Sequence, residues 1–264
     1  ANPDFKTLVK AAQAAGLIDT LNSAGPFTLF APTDDAFAKV DKHALADLLK
    51  PENRERLRNV LLYHVVSAKV EAAEALKLTS AQAVNGQRLD LRINNGKLMI
   101  DDAKVTATDV GASNGVIHVI DKVLMPAQDD IAGVAAHAGM FKTLLAAARA
   151  AGLTDALTGK DPLTLFAPTD EAFDKLPKGT VESLLKPENK EMLKKVLLLH
   201  VVPGRVYSDK VVKLASAKSL DGQTLTPAVK DGRVSVNGAA VVKTDIEATN
   251  GVVHVIDAVL LPAK

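Results

Sequence analysis

Thr28-Leu29-Phe30-Ala31-Pro32-Thr33-Asp34 recurs residue for residue as Thr164 to Asp170, 136 positions later. The same offset carries Phe5-Lys6-Thr7-Leu8 onto Phe141 to Leu144, Leu48–Asn53 onto Leu184–Asn189, and Asn114-Gly115-Val116 onto Asn250-Gly251-Val252. Laying residues 1–128 on 137–264 without a gap gives 63 identities, about half of the positions. A unit of this size matches the common domain length of about 100–150 residues. The chain therefore reads as one domain written twice, not as a short-period solenoid, with domains at 1–128 and 129–264.

Residues 129–136 have no partner in the first repeat. Ile131 to Leu153 reads as a helix or helix pair stopped by Gly152. In the first repeat the same element is clipped to Pro3–Ala15 and stopped by Gly16. The plain reading is a processed or trimmed chain. The sharper one is that the missing turn leaves an apolar groove for another chain to fill.

Within each unit, Phe5, Leu8, Val9, Ala12 and Ala15 fall on one helical face. Phe27–Phe30 and Leu163–Phe166 read as strands. Thr33 and Thr169 are expected N-caps, followed by Asp34, Asp35 and by Asp170, Glu171 in a first turn where the helix dipole favours acids. Pro51 and Pro187 suit the first position of a further helix, which carries Leu57, Val60, Leu61 and His64 on one face. Then come strand patterns: Gln87–Ile93 alternates, Asn95-Gly96 and Asp231-Gly232 are hairpin turns, and Val105–Thr108 and Val116–Leu124 follow. Pro126 and Pro262 close the last strand. Helices first and antiparallel hairpins later predict an α+β domain. The Gly of each Asn-Gly or Asp-Gly pair, including Asn114-Gly115 and Asn250-Gly251, reads as a turn former.

Composition excludes several functions. With 32 Lys and Arg against 31 Asp and Glu there is no basic excess for a nucleic-acid partner. Seven Phe, two Tyr and no Trp give few platforms for stacking bases. No cysteine is present, so there is no disulfide, thiol nucleophile or thiolate metal site. No apolar run approaches the roughly 20 residues of a transmembrane segment. No nucleophile elbow, phosphate loop or dinucleotide fingerprint occurs. Adjacent acids such as Asp34 and Asp35 are explained by capping, since paired catalytic carboxylates face each other across a cleft. No cofactor and no catalytic residue is expected. The basic residues after Pro51 and Pro187 are interleaved with Glu and read as a solvated face.

Histidine is the one side chain suited to chemistry at neutral pH. His64 and His118 recur as His200 and His254, whereas His43 and His137 have no repeat partner and read as solvated. Paired with Asp121 or Asp257, each set suggests a metal site or a pH switch. No close metal-spacing motif accompanies them; the alternative, preferred because Val116, His118 and Ile120 share one strand face, is that each His makes a buried hydrogen bond tying the central helix to the final strand.

Thr28–Phe37 with Thr164–Phe173, Asn114–Pro126 with Asn250–Pro262, and Tyr63-His64 together resemble the fasciclin-like (FAS1) domain family, in order and in both units. The resemblance implies two tandem domains, each a β-wedge or sandwich of about seven strands flanked by helices. It implies a non-catalytic adhesion or protein-binding module, secreted, periplasmic or at the cell surface. Its partner would be a cell-surface or matrix protein or a polysaccharide. Contact would be made through the loops Thr108–Asn114 and Thr244–Asn250 and the Tyr63-His64 region, with duplication raising avidity. The family's Asp-Ile binding motif corresponds to Asp245-Ile246, and in the first unit to Asp109-Val110. Its Tyr-His pair corresponds to Tyr63-His64, and in the second unit to Leu199-His200. Thr33, Asp34, Thr169, Asp170, His118, Asp121, His254 and Asp257 belong to the structural signature. Some members from photosynthetic microbes bind carotenoids, so a carrier of a lipophilic ligand is the alternative. The absence of cysteine and of glycosylation sequons and the high Ala content fit a bacterial exported protein better than an animal matrix protein.

Overall fold

The computed structural model describes residues 3–230 and 232–262. Asp231, of the second expected hairpin turn, lies outside the described residues. The chain divides into two compact units, Ala1–Pro126 and Ala127–Lys264.

Unit 1 runs α1 (Lys6–Ala14), α2 (Ile18–Asn22), β1 (Phe27–Pro32), α3 (Asp34–Ala38), α4 (Lys42–Leu48), α5 (Arg54–Tyr63), β2 (Val65–Val66), α6 (Ala72–Ala75), β3 (Ser80–Gln82), β4 (Arg88–Asn94), β5 (Lys97–Ile100), β6 (Ala103–Ala112) and β7 (Gly115–Ile120). Unit 2 runs α7 (Ile131–Ala138), α8 (Lys142–Ala151), α9 (Thr154–Thr158), β8 (Leu163–Pro168), α10 (Asp170–Asp174), α11 (Thr180–Leu184), α12 (Lys190–Leu199), β9 (Val201–Pro203), α13 (Ser208–Val211), β10 (Ala217–Lys218), β11 (Thr224–Leu225), β12 (Pro227–Lys230), β13 (Arg233–Val236), β14 (Ala239–Ala248) and β15 (Gly251–Ile256). Both are α+β. Among the described residues the first unit forms one sheet in the order β2-β1-β7-β6-β5-β4-β3, and the second forms β12-β13-β14-β15-β8-β9 beside a β10-β11 pair.

The two conserved-within-chain boxes meet at the centre of each sheet. β1 lies parallel to β7, with Phe27 opposite Gly115 and Pro32 opposite Ile120. β8 and β15 repeat this from Leu163 opposite Gly251 to Pro168 opposite Ile256. Gly115 and Gly251 are thus strand residues and not turn formers, which corrects the sequence reading. A Cβ on Gly115 would stand 2.0 Å from the Phe27 carbonyl oxygen, and one on Gly251 2.2 Å from that of Leu163. Close approach of two backbones, a demand local patterning does not show, excludes any side chain. Asn95-Gly96 behaves as expected, with φ of 49° and 72°, the left-handed pair of a tight hairpin.

Each sheet packs on both faces. In unit 1, α1, α3 and α5 cover one face through Leu8, Ala11, Phe37, Leu57 and Leu61. On the other, Phe30 and Ile120 pack with Leu89, Leu91 and Ile100 from the hairpin strands. The Thr28–Asp34 stretch fixes three elements at once. It supplies β1, Thr33 accepts a hydrogen bond from the Ala36 N–H at the start of α3, and Asp34 accepts one from the Thr7 N–H at 2.7 Å. Asp34 therefore caps α1, which lacks a side-chain cap of its own. That N–H also holds the Asp34 carboxyl below the usual carboxylate range. Asp170 does the same for α8, accepting from Thr143 N–H at 2.8 Å.

Two buried histidines lock the helix side to the strand exit. His64, at the end of α5, donates from Nδ1 to the Val60 carbonyl at 2.8 Å and accepts the Leu124 N–H at Nε2, 2.9 Å away. His200 makes the matching bonds to Val196 and Leu260. Each ring must be neutral, because protonating Nε2 would destroy an acceptor. Burial pushes both down to about 4. Asp121 and Asp257 hold the same region, accepting the N–H of Lys104 and of Ala240 at 2.8 Å, while Lys39 and Lys175 reach their backbone carbonyls.

A sign follows for acid stability. In the unfolded chain these histidines protonate near 6.5, in the fold only near 4. Their contribution is whole above about pH 6.5 and is lost as pH falls toward 4, up to about 3 kcal/mol for each ring. Urea midpoints recorded from pH 7 to pH 4.5 are expected to fall steeply. A His64→Gln chain is expected to start lower and fall less, and an unchanged slope would refute the assignment.

Candidate binding groove

β6 and β14 are both broken by a bulge just before the second box. Their register shifts between Ala107 and Val110, and between Lys243 and Ile246. Asp109 and Asp245 sit in these bulges at φ 58° and 57°, the left-handed region an Asp tolerates. The conformation turns each carboxylate toward a short helix. Asp109 accepts the Ala72 N–H at 2.9 Å at the start of α6. Asp245 accepts the Ser208 N–H at 2.8 Å and also the Ser208 hydroxyl, at α13. The backbone N–H of each Asp points at a histidine, Asp109 at His118 Nδ1 (3.4 Å) and Asp245 at His254 Nδ1 (3.3 Å). The opposite nitrogens donate to the Val70 and Val206 carbonyls, 2.8 Å away. The rings stack on Phe30 and Phe166. Burial lowers the His254 pKa.

The structure thus brings Asp109 to His118 and Asp245 to His254, joining bulge, strand and short helix. It does not bring His64 to His118 as a metal pair, since both nitrogens of every one of these four rings face backbone groups. No cluster of three His, Asp or Glu able to hold a metal occurs among the described residues. His43 is exposed, and exposed His137 lies 2.8 Å from Asp129.

The Tyr63-His64 pair is buried, at 5% and 1% exposure, which corrects its expected place on a contact surface. Its helical face points inward, and the Tyr63 hydroxyl lies 2.8 Å from both the Arg88 carbonyl and Asp101 Oδ2. Burial raises the Asp101 pKa. In unit 2 both partners change together, to Leu199 and Asn237, and Asn237 keeps only the backbone role, accepting the Thr226 N–H at 2.7 Å. Of the Asp-Ile positions, Val110 is exposed while Ile246 is half-buried against the core.

The loop after the bulge separates the two units. In unit 2, Arg205 is only 8% exposed in its side chain. It donates to the Glu247 carboxylate and the carbonyls of Ala248, Thr249 and Gly251, at 2.6–3.0 Å. Buried Tyr207 packs beside this plug, and burial drives its hydroxyl pKa strongly upward. The aligned residues of unit 1 are Lys69, Glu71 and Gly111. Lys69 pairs with Glu71 at the surface, 2.8 Å apart. An open groove of about 560 Å³ remains, walled by Gly25, Pro26, Lys69, Asp109 and the segment 111–116. Thr108–Ser113 are exposed there. These three positions were missed by motif reading. The repeat alignment carries their signal in its differences, where the identities attract attention first.

For a lipophilic ligand the fold offers less. The wholly apolar cavity of unit 2, between Leu144, Leu153, Leu165 and Leu197, measures about 20 Å³, the room of about one water.

Arg205→Ala leaves the half-buried Glu247 carboxylate and three carbonyls without this donor. The variant is expected to lose about 3 kcal/mol of unit 2 stability. Lys69→Ala, removing an exposed pair, should cost under about 1 kcal/mol. Equal urea midpoints for the two variants would refute the plug.

The profile of the Fasciclin domain family matches residues 3–126 and 139–262. Protein sll1483 of Synechocystis is 53% identical over 132 residues, which cover 50% of this chain and 73% of that protein. Transforming growth factor-beta-induced protein ig-h3 of Sus scrofa is 33% identical over 249 residues, and periostin of Homo sapiens 31% over 260. These alignments cover 92% and 97% of this chain, which spans about a third of either relative (35% and 31%). Among solved structures, a FAS1 domain pair from the insect cell adhesion molecule fasciclin I superposes with a TM-score of 0.50 at 20% identity, covering 99% of this chain and 98% of that one. With both halves matched by one family profile and the pair by one fold, the chain belongs to the fasciclin (FAS1) domain family.

Proposed function

We propose that this chain is a non-catalytic binding module of the adhesion type, working outside the cytoplasm as a secreted, periplasmic or surface protein. Its partner is a cell-surface or matrix protein or a polysaccharide. The observation that carries the reading is the open groove of unit 1 at the loop 108–114, in the same place where Arg205 seals unit 2. The buried histidines support a non-catalytic role, because backbone groups engage both nitrogens of each ring and leave none to move a substrate's proton. The structural match to a FAS1 domain pair from a protein named a cell adhesion molecule lends the same support. No helix among the described residues is long and apolar enough to cross a membrane. The units differ at this surface, so the reading assigns the first contact to unit 1 and not to two equal sites.

The test transplants the plug. Gly111 has open space beside it and takes a side chain without a clash. A chain carrying Lys69→Arg, Glu71→Tyr and Gly111→Glu together is expected to keep its fold. It should lose at least about tenfold in binding to immobilised cell-surface protein or polysaccharide, measured by surface plasmon resonance. Undiminished binding by the folded triple variant would refute the groove as the contact.

A further inference from the structure

The hairpin strands of unit 1 carry a feature that the bulge and its groove leave unused. In β4, β5 and β6 the buried residues Leu91, Leu98, Ile100 and Val105 face the core, so the residues alternating with them share the outer face. The register sets Arg92 opposite Met99 and Met99 opposite Lys104, with Lys97 two residues before Met99 on the same face. A cation from each of three strands thus stands around one methionine. The ladder between β5 and β6 holds only at Met99–Lys104 and Ile100–Ala103. Beyond these pairs a cleft of about 430 Å³ opens, with Ala72 and Leu76 of α6 on one side and Lys97, Lys104 and Thr106 on the other.

Lys97 and Lys104 stand side by side in this cleft, and the Lys104 ammonium holds the Lys97 amine below the usual lysine range. Like charges set together on a sheet repel. The acids nearby are engaged elsewhere. Asp102 pairs with Lys122 at 2.9 Å, Asp101 accepts from the Tyr63 hydroxyl and the Asp90 N–H, and Asp121 accepts the backbone N–H of Lys104. Among the described residues Arg92, Lys97 and Lys104 have no carboxylate within ion-pair distance. Unit 2 lacks the arrangement. The same cross-strand row reads Ala228, Ser235 and Ala240, and its cations Lys230 and Arg233 lie opposite each other next to the hairpin turn.

We infer that the cleft of Lys97 and Lys104, extended by Arg92 on the same face, binds an anionic polysaccharide. Carboxylate or sulfate groups on neighbouring sugars bridge the cations and relieve their repulsion. The apolar face of a sugar ring lies on Ala72 and Leu76, the latter 49% exposed. Single-stranded nucleic acid fits less well, since the described lining of the cleft holds no aromatic side chain to stack a base. A flat membrane surface also fits less well, because Lys104 is half-buried in a concave site. The inference deepens the proposed function, on which it rests for placing the chain where such polymers occur. It gives the polysaccharide a site separate from the groove walled by Lys69 and the segment 111–116.

The full chain is titrated by isothermal calorimetry with polygalacturonate, dextran sulfate and uncharged dextran, at low and at physiological salt. At least one of the two anionic polymers is expected to bind, more weakly as salt rises, and the one preferred tells carboxylate from sulfate. Uncharged dextran should not bind. Lys97→Gln together with Lys104→Gln should weaken binding at least about tenfold. Lys97→Gln alone, at an exposed position, should act in the same direction without lowering the urea midpoint. Lys10→Gln with Lys42→Gln removes the same charge at exposed positions of α1 and α4. That pair should leave binding within about twofold, since exposed charges outside a site are screened by salt. The triple plug variant should bind the polymer normally, so that loss of surface binding there and loss in the Lys97, Lys104 variant speak to different sites. No binding by either anionic polymer would overturn the inference and leave the groove standing. So would equal weakening by the two lysine pairs, polymer binding lost in the plug variant but kept in the Lys97, Lys104 variant, or tighter binding of single-stranded DNA or of phosphatidylserine vesicles.

Discussion

The parallel pairing of β1 with β7, and of β8 with β15, is the constraint on which each unit depends. It brings the first box against the second across nearly the whole unit, at a backbone separation that admits only glycine at Gly115 and Gly251. Once those strands are seated, their flanks have fixed destinations. Thr33 and Asp34 leave β1 to start two helices, His64 reaches the exit of β7 at Leu124, and Asp121 turns back to the N–H of Lys104. The chain must close a long loop before this pairing forms, an entropic cost that the helices and hairpins between the strands reduce by organising locally.

What was legible in the sequence divides along the same line. Local chemistry read well: the Thr33 cap, the Asn95-Gly96 hairpin and the α+β order follow from nearest neighbours in the chain. The duplication and its family were legible because they are matters of pattern. Long-range demands did not read. Asp34 serves α1 as well as its own helix because space brings Thr7 to it, and Gly115 looks like a turn until the facing carbonyl is known. Tyr63 is polar at one end and so looks presentable, yet its hydroxyl is satisfied inside by Asp101 and the Arg88 carbonyl. The Asp-Ile motif mixes two roles. Its Asp is held to a short helix by a left-handed bulge, and both positions are more exposed in unit 1 (Asp109, Val110) than in unit 2, where Asp245 and Ile246 are half-buried.

The two units share a frame and differ in closure. Arg205 and Tyr207 close the bulge loop of unit 2, whereas unit 1 keeps the same strands and the same Asn114 clamp with Lys69 and Glu71 at the surface beside an open groove. A duplicated domain frees one copy from doing everything, and the two copies here differ most at the loop beside the bulge.

The exchange of Tyr63 and Asp101 for Leu199 and Asn237 has a consequence at the level of the gene. Tandem repeats about half identical are substrates for unequal recombination. A crossover between these two positions would set Leu beside Asp in one hybrid and Tyr beside Asn in the other. The first hybrid leaves one oxygen of a half-buried carboxyl without its phenol, a loss that costs more than it would at the surface.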